Sequence, residues 1–189
     1  MKRAMIKQVP YILSVKNKNK RMKSKITIIV TLLFGLFLGI LFTGIALNMS
    51  AGHMMIKEMK SPYDFNKTVT TIVNNINAQP GWHVVTVIDQ NKEVQAHGGY
   101  PIGNFNIIQY CNGKASADML SADNRKRIGA LLPKNIAVYE KSDGQVYVAT
   151  SNGAVMGKLF GGETEKMIEK VSLDVENMLR FMNFKFNAF

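Results

Sequence analysis

The sequence predicts an α+β domain, an antiparallel sheet with helices packed on one face, preceded by one transmembrane helix. Three observations carry this reading. Residues 26–47 form an uncharged apolar run of 22 residues. Beyond it, two segments with apolar residues at helical spacing enclose four segments rich in β-formers. A further short β-like stretch precedes the first helix, which gives the order β-α-β-β-β-β-α. A sheet covered by its helices is the natural layer solution for that order.

The chain has 189 residues and a formal charge of +11, a balance that suggests nucleic acid until the charge is located. Residues 1–25 hold nine Lys or Arg and no acid, whereas 15 basic and 13 acidic residues follow from position 26 onward. The excess is therefore a tail and not a groove on a folded surface, and we expect no nucleic-acid partner. The run ITIIVTLLFGLFLGILFTGIAL, Ile26–Leu47, is long enough to cross a hydrocarbon core of about 30 Å. It exceeds the roughly 7–15 apolar residues of a signal-peptide core, and no clean cleavage site follows, so we read an uncleaved anchor. Basic flanking on one side only predicts an N-terminus in the cytoplasm and everything after Asn48 outside it, in an inner or plasma membrane. The lipid bilayer is thus the first expected partner, through residues 26–47. Residues 48–53 read as a linker and 54–189 as the extracytoplasmic domain. With one cysteine, that domain has no internal disulfide and must be held by its core.

Met54–Lys60 reads as the first strand. Ser61-Pro62-Tyr63-Asp64 then reads as a helix start, with serine as the cap and proline at the first helical position. Phe65, Val69, Ile72, Val73 and Ile76 recur at the helical period, and Pro80-Gly81 ends the element. Trp82–Ile88 is nearly continuous β-former and reads as a buried strand, as does Phe105–Cys111. A short helix is expected near Lys114–Leu120. Asn135–Glu140 and Gln145–Thr150 are two further strands joined by Lys141-Ser-Asp-Gly144, a hairpin turn with glycine at the left-handed position. Gly157–Gly162 turns the chain into a last helix whose Ile168, Val171, Val175, Met178 and Met182 face one way. The terminal FMNFKFNAF reads as a frayed amphipathic end, with a dimer or bilayer contact as alternatives.

The stretches SPYDF (61–65), CNGKA (111–115), LLPKNIAVYEKSDGQVYVA (131–149) and GKLFGG (157–162), in that order, resemble the DUF302 family of uncharacterised bacterial and archaeal domains. The resemblance covers residues 54–180. It implies a TATA-binding-protein-like β-α-β4-α fold and a possible homodimer, and it carries no established reaction. Many relatives have Cys-Asn-Pro where this chain has Cys111-Asn112-Gly113, and a second cysteine where Lys134 follows Pro133. Any chemistry that needs two thiols in one subunit is therefore closed to this chain.

Cys111 is the sole thiol, placed where a strand meets a helix start, with Lys114 one turn on; that setting lowers a thiol pKa, yet apolar strands also hold inert cysteines. Tyr110 and Tyr139 are expected to line a pocket with it. His53, Met54, Met55 and Met59 form the most metal-like cluster, suited to soft copper or haem, although on a strand Met54 would face away from Met55 and Met59. His97 lies in a glycine-rich turn, and His83 inside a strand. Gly153-Ala-Val-Met-Gly157-Lys158 falls one residue short of a phosphate loop and lacks its hydroxyl residue. The following helix start, beside Lys158, would still suit an anion. Arg125, Lys126, Arg127 and Lys134 read as a solvated basic patch. Asp89, Glu93 and Asp118 have no spacing that demands paired-carboxylate chemistry. Three classes stay open: non-catalytic binding of a small ligand or partner protein, which leads; soft-metal or haem binding; and thiol-dependent chemistry at Cys111.

Overall fold

The structure, a computed structural model, describes residues 25–45 and 52–186. The basic tail up to residue 24, most of the linker and Phe189 lie outside them. The described chain divides into an N-terminal unit and a C-terminal one.

The first unit contributes one helix, α1 (Lys25–Ile45), whose 21 residues are long and apolar enough to cross a membrane. At about 1.5 Å per residue it spans roughly 31 Å.

The second unit is built on a five-stranded, wholly antiparallel sheet. Its strands are β1 (Ile56–Lys60), β2 (Trp82–Asp89), β3 (Phe105–Asn112), β4 (Lys134–Glu140) and β5 (Val146–Ser151), in spatial order β1-β5-β4-β3-β2. The helices are α2 (Phe65–Ala78), α3 (Gln90–Ala96), α4 (Gly113–Leu120), α5 (Gly153–Phe160) and α6 (Gly162–Met178), with 3-10 segments at Asp123–Leu131 and Arg180–Met182. Strand alternation sends Ile108 and Tyr110, Ile136 and Val138, and Val146 and Val148 to one face. There they join Ile72 and Ile76 of α2, Val175 and Met178 of α6, and Leu179 just past its end, in a single buried cluster. The expected hairpin forms: Gly144 N–H donates to Lys141 O at 2.9 Å, and Gly144 takes φ +71°.

Several expectations are corrected. The first strand begins at Ile56; residues 52–55 are helical. The Met54 and Met55 carbonyls accept from Asn152 Nδ2 (2.9 Å) and Asn152 N (2.8 Å), so they do not enter the ladder. The cap of α2 is Asp64, whose carboxylate accepts from Lys67 N at 2.8 Å, and not Ser61. Ser61 is still tied to the sheet through its N–H to Val146 O, and its buried hydroxyl contacts Thr68 Oγ1 at 2.6 Å. β2 is an edge strand and not a buried one: Trp82 is covered, but His83, Val85, Thr86 and Val87 are exposed past a bulge between Val84 and Thr86.

Residues 153–160 form a helix, not a turn. α5 crosses α6 so closely that a Cβ on Gly153 would lie 1.9 Å from Ser172 Oγ. The C-terminal segment is core and not a frayed end. Phe184 is fully buried and meets Phe186 edge-on, Phe181 stacks on Tyr63, and Glu176 accepts from Phe186 N at 2.7 Å and Lys185 Nζ at 3.0 Å.

Candidate functional site

One end of the helix-covered sheet face does not close. Between β3, β4, α4, the first 3-10 segment, α5 and α6 lies a cavity of about 370 Å³. Its apolar wall includes Met119, Leu132, Met156, Ile168 and Val171, and the only tryptophan, Trp82, also lines it. Two polar side chains near it are poorly partnered. Tyr110 is fully buried, and among the described residues its Oη has no partner at hydrogen-bond distance. The neighbouring Thr150 hydroxyl donates to Asn135 O at 2.8 Å and keeps its lone pairs to face the phenol proton. Burial pushes the Tyr110 phenol well above its ordinary range.

Lys134 is the second. It stands directly opposite Tyr110 in the β3–β4 ladder, so both side chains leave the sheet on the same face, their Cβ atoms about 5 Å apart. Its amine reaches Ser151 Oγ at only 3.5 Å, and among the described residues no carboxylate stands within ion-pair distance. Burial alone pushes its pKa down to about 8. Lys134 is therefore part of the cavity wall and not of a solvated basic patch. In the sequence its signal is position: Lys134, Ile136 and Val138 alternate onto one face, so a cation falls in buried register.

Cys111 also lines the cavity, with its Sγ 3.2 Å from Ser116 Oγ, and His83 faces it across the β2–β3 ladder. The helix start beyond it is already occupied, since Asn112 Oδ1 accepts from Ala115 N at 3.0 Å. Lys114 is exposed and pairs with Asp118 at 3.1 Å, the i,i+4 geometry of a solvent face.

The remaining candidates lie elsewhere. Tyr139 is one residue out of phase with Val138 and stands on the opposite sheet face. Its hydroxyl donates to Glu58, which also accepts from Lys141 Nζ at 2.8 Å, and its ring stacks between Phe105 and Tyr147. Lys141 and then Tyr139 hold the Glu58 carboxyl below the usual carboxylate range, against a smaller opposing effect of burial. His97 caps α3 in the open, its Nδ1 2.9 Å from Glu93 O. Lys158 is exposed in the last turn of α5, and Glu163 and Glu165 already supply negative charge to the start of α6. His53, Met54 and Met55 sit on the helical turn before β1, whereas Met59 packs against the core. Strand-face reasoning therefore does not apply to the first three. Among the described residues, no three His, Cys, Asp or Glu gather closely enough to hold a metal ion.

A single antiparallel sheet, helix-backed, with a mostly apolar cavity at the sheet's end, defines a compact α+β domain with an internal pocket. Residues 57–182 match the domain of unknown function DUF302, and the chain belongs to that family. The chain is also similar to the crystal structure of an uncharacterised conserved DUF302 protein from Bacillus stearothermophilus, with a TM-score of 0.60 at 16% identity. The likeness covers 68% of this chain and 98% of that one, and it speaks for the fold alone. No curated protein matches the chain.

Proposed function

We propose that this DUF302 protein is anchored by α1 as a single-pass membrane protein and that its C-terminal domain, on the extracytoplasmic side, binds a small ligand non-catalytically in the cavity. The observation that carries the reading is a mostly apolar cavity of about 370 Å³ with a single amine in its wall, Lys134 Nζ, whose nearest partner among the described residues is Ser151 Oγ at 3.5 Å. Enclosed polar groups are almost always satisfied. A bound ligand that accepts from the amine supplies the missing partner. The size of the cavity and its mostly apolar wall, with Gln109, Asn112, Ser116 and Asn135 among its polar members, suit such a ligand.

The test is a thermal-shift screen of small molecules on the full-length protein in lipid nanodiscs, run beside Ala115→Phe, which fills the cavity from α4. Hits present in the wild type and lost in the plugged variant support the reading. A screen without hits, or hits indifferent to the plug, refutes it. A C-terminal alkaline phosphatase fusion tests topology separately, and an inactive fusion would place the domain on the cytoplasmic side.

A further inference from the structure

The charge inventory of the cavity narrows the ligand. Among the described residues, Lys134 is its sole formally charged lining residue, and no Asp, Glu, Arg or His contributes to the wall. A cation would meet a like charge there. A neutral molecule would leave the charge of the amine unanswered, with its 3.5 Å contact to Ser151. A dianion would bring one more negative charge than the site neutralises.

Lys134 provides three N–H bonds, enough to hold both oxygens of one carboxylate. Beyond the amine the wall turns apolar through Met119, Leu132, Met156, Ile168 and Val171. About 370 Å³ is near the lower end of small-molecule pockets, which restricts the body of the ligand to a short chain or one ring.

We infer that the ligand is a small amphiphilic monocarboxylate, its head group held by Lys134 and its apolar body laid along the α4, α5 and α6 side of the cavity. This rests on the cavity being a ligand site at all. Trp82 supplies the readout, because it is the only tryptophan and stands in the cavity wall.

The experiment is a fluorescence titration of the full-length protein in nanodiscs with octanoate, octanol and octylamine, corrected with empty nanodiscs. Octanoate is expected to bind at least about tenfold more tightly than the other two, the ordinary scale of one charge-assisted hydrogen bond. Lys134→Met should remove that preference without weakening octanol binding, and Lys134→Arg should keep most of it. Should Lys134→Met fail to fold, the wild type still decides. Raising the pH from 7 to 10 neutralises the amine, whose pKa is about 8, and should weaken octanoate several-fold while leaving octanol unchanged. Equal affinity for octanoate and octanol, or an octanoate affinity indifferent to Lys134→Met and to pH, overturns the carboxylate assignment and leaves the cavity reading standing. No Trp82 response to any probe also overturns it, and the plugged-variant screen then judges the cavity reading independently.

Discussion

Replacing Lys134 with methionine should make the protein more stable, and the gain should depend on pH in a defined direction. The amine is partly enclosed at the end of β4, among the described residues without a carboxylate partner, and burial lowers its pKa from 10.5 to about 8. Below pH 8 both the folded and unfolded chains carry the proton, so the fold bears the full cost of an enclosed charge. Between pH 8 and 10.5 the unfolded chain still binds the proton and the folded one has released it, so wild-type stability rises with pH. Above 10.5 neither is charged and the cost is gone. At about 1.4 kcal/mol per pH unit the cost has a ceiling of about 3 kcal/mol. Lys134 is only half-buried and touches Ser151, which brings the expectation to about 1–3 kcal/mol. Methionine keeps the straight stem and its packing and removes the charge. Urea unfolding of both proteins in the same detergent, followed by Trp82 fluorescence at half-unit steps from pH 6 to 10.5, measures the difference directly. Every other titrating group is common to both chains and cancels. The variant should be stabilised by 1–3 kcal/mol at pH 6–7 and the two curves should converge toward pH 10.5. A variant less stable than wild type at pH 7, or a difference that does not shrink between pH 8 and 10.5, refutes the enclosed-amine reasoning.

Three other perturbations test the scaffold and the assignment of faces. Gly153→Ala places a Cβ 1.9 Å from Ser172 Oγ and 3.0 Å from its Cβ, so despite alanine's better helix propensity it should cost about 1–3 kcal/mol in urea unfolding. Adding Ser172→Gly should recover at least half of that, and additive losses would show that the α5–α6 crossing is not the cause. Phe184→Ala should cost about 3–5 kcal/mol because the ring is fully buried, and a change below 0.5 kcal/mol would return the C-terminal segment to the surface. Tyr139→Phe removes the hydrogen bond to Glu58 on the far sheet face, so the Glu58 carboxyl should titrate closer to its ordinary value while the octanoate titration stays unchanged. A weakened titration would put Tyr139 in communication with the cavity.

The parts of the fold that sequence makes readable are those in which local chemistry has one outcome. The periodic faces of α2 and α6 hold because Ile72, Ile76, Val175 and Met178 have a single core to meet, and the β4–β5 hairpin holds because Gly144 alone in that turn takes a positive φ without strain. Edge and face are decided by long-range pairing instead. Trp82–Ile88 has the composition of a central strand, yet among the described strands only β3 pairs with it, and Val85, Thr86 and Val87, at and beyond the bulge, are exposed. The α5 segment is too short for periodicity to distinguish it from a glycine turn. Tyr110 and Tyr139 look equivalent on paper and part company only because β3 and β4 pair in a register that sets Tyr110 opposite Lys134 and Tyr139 opposite Phe105.

That register also explains why Lys134 escapes a reading by residue type. Beside Pro133 and not far after Arg125-Lys126-Arg127 it has the look of surface charge, and against its relatives it has the look of a missing cysteine. Placed in the ladder, it is a cation on the inner face with no anion to answer it. A lone buried charge normally releases its proton or acquires a partner. Lys134 has moved part of the way toward release, with a pKa of about 8 that leaves it mostly charged at neutral pH. A carboxylate arriving from solvent would complete the other route, returning the amine toward its ordinary range. The charge that weakens the empty fold is the charge that would make its occupied form selective, so the variant most stable without ligand should be the one that no longer distinguishes octanoate from octanol.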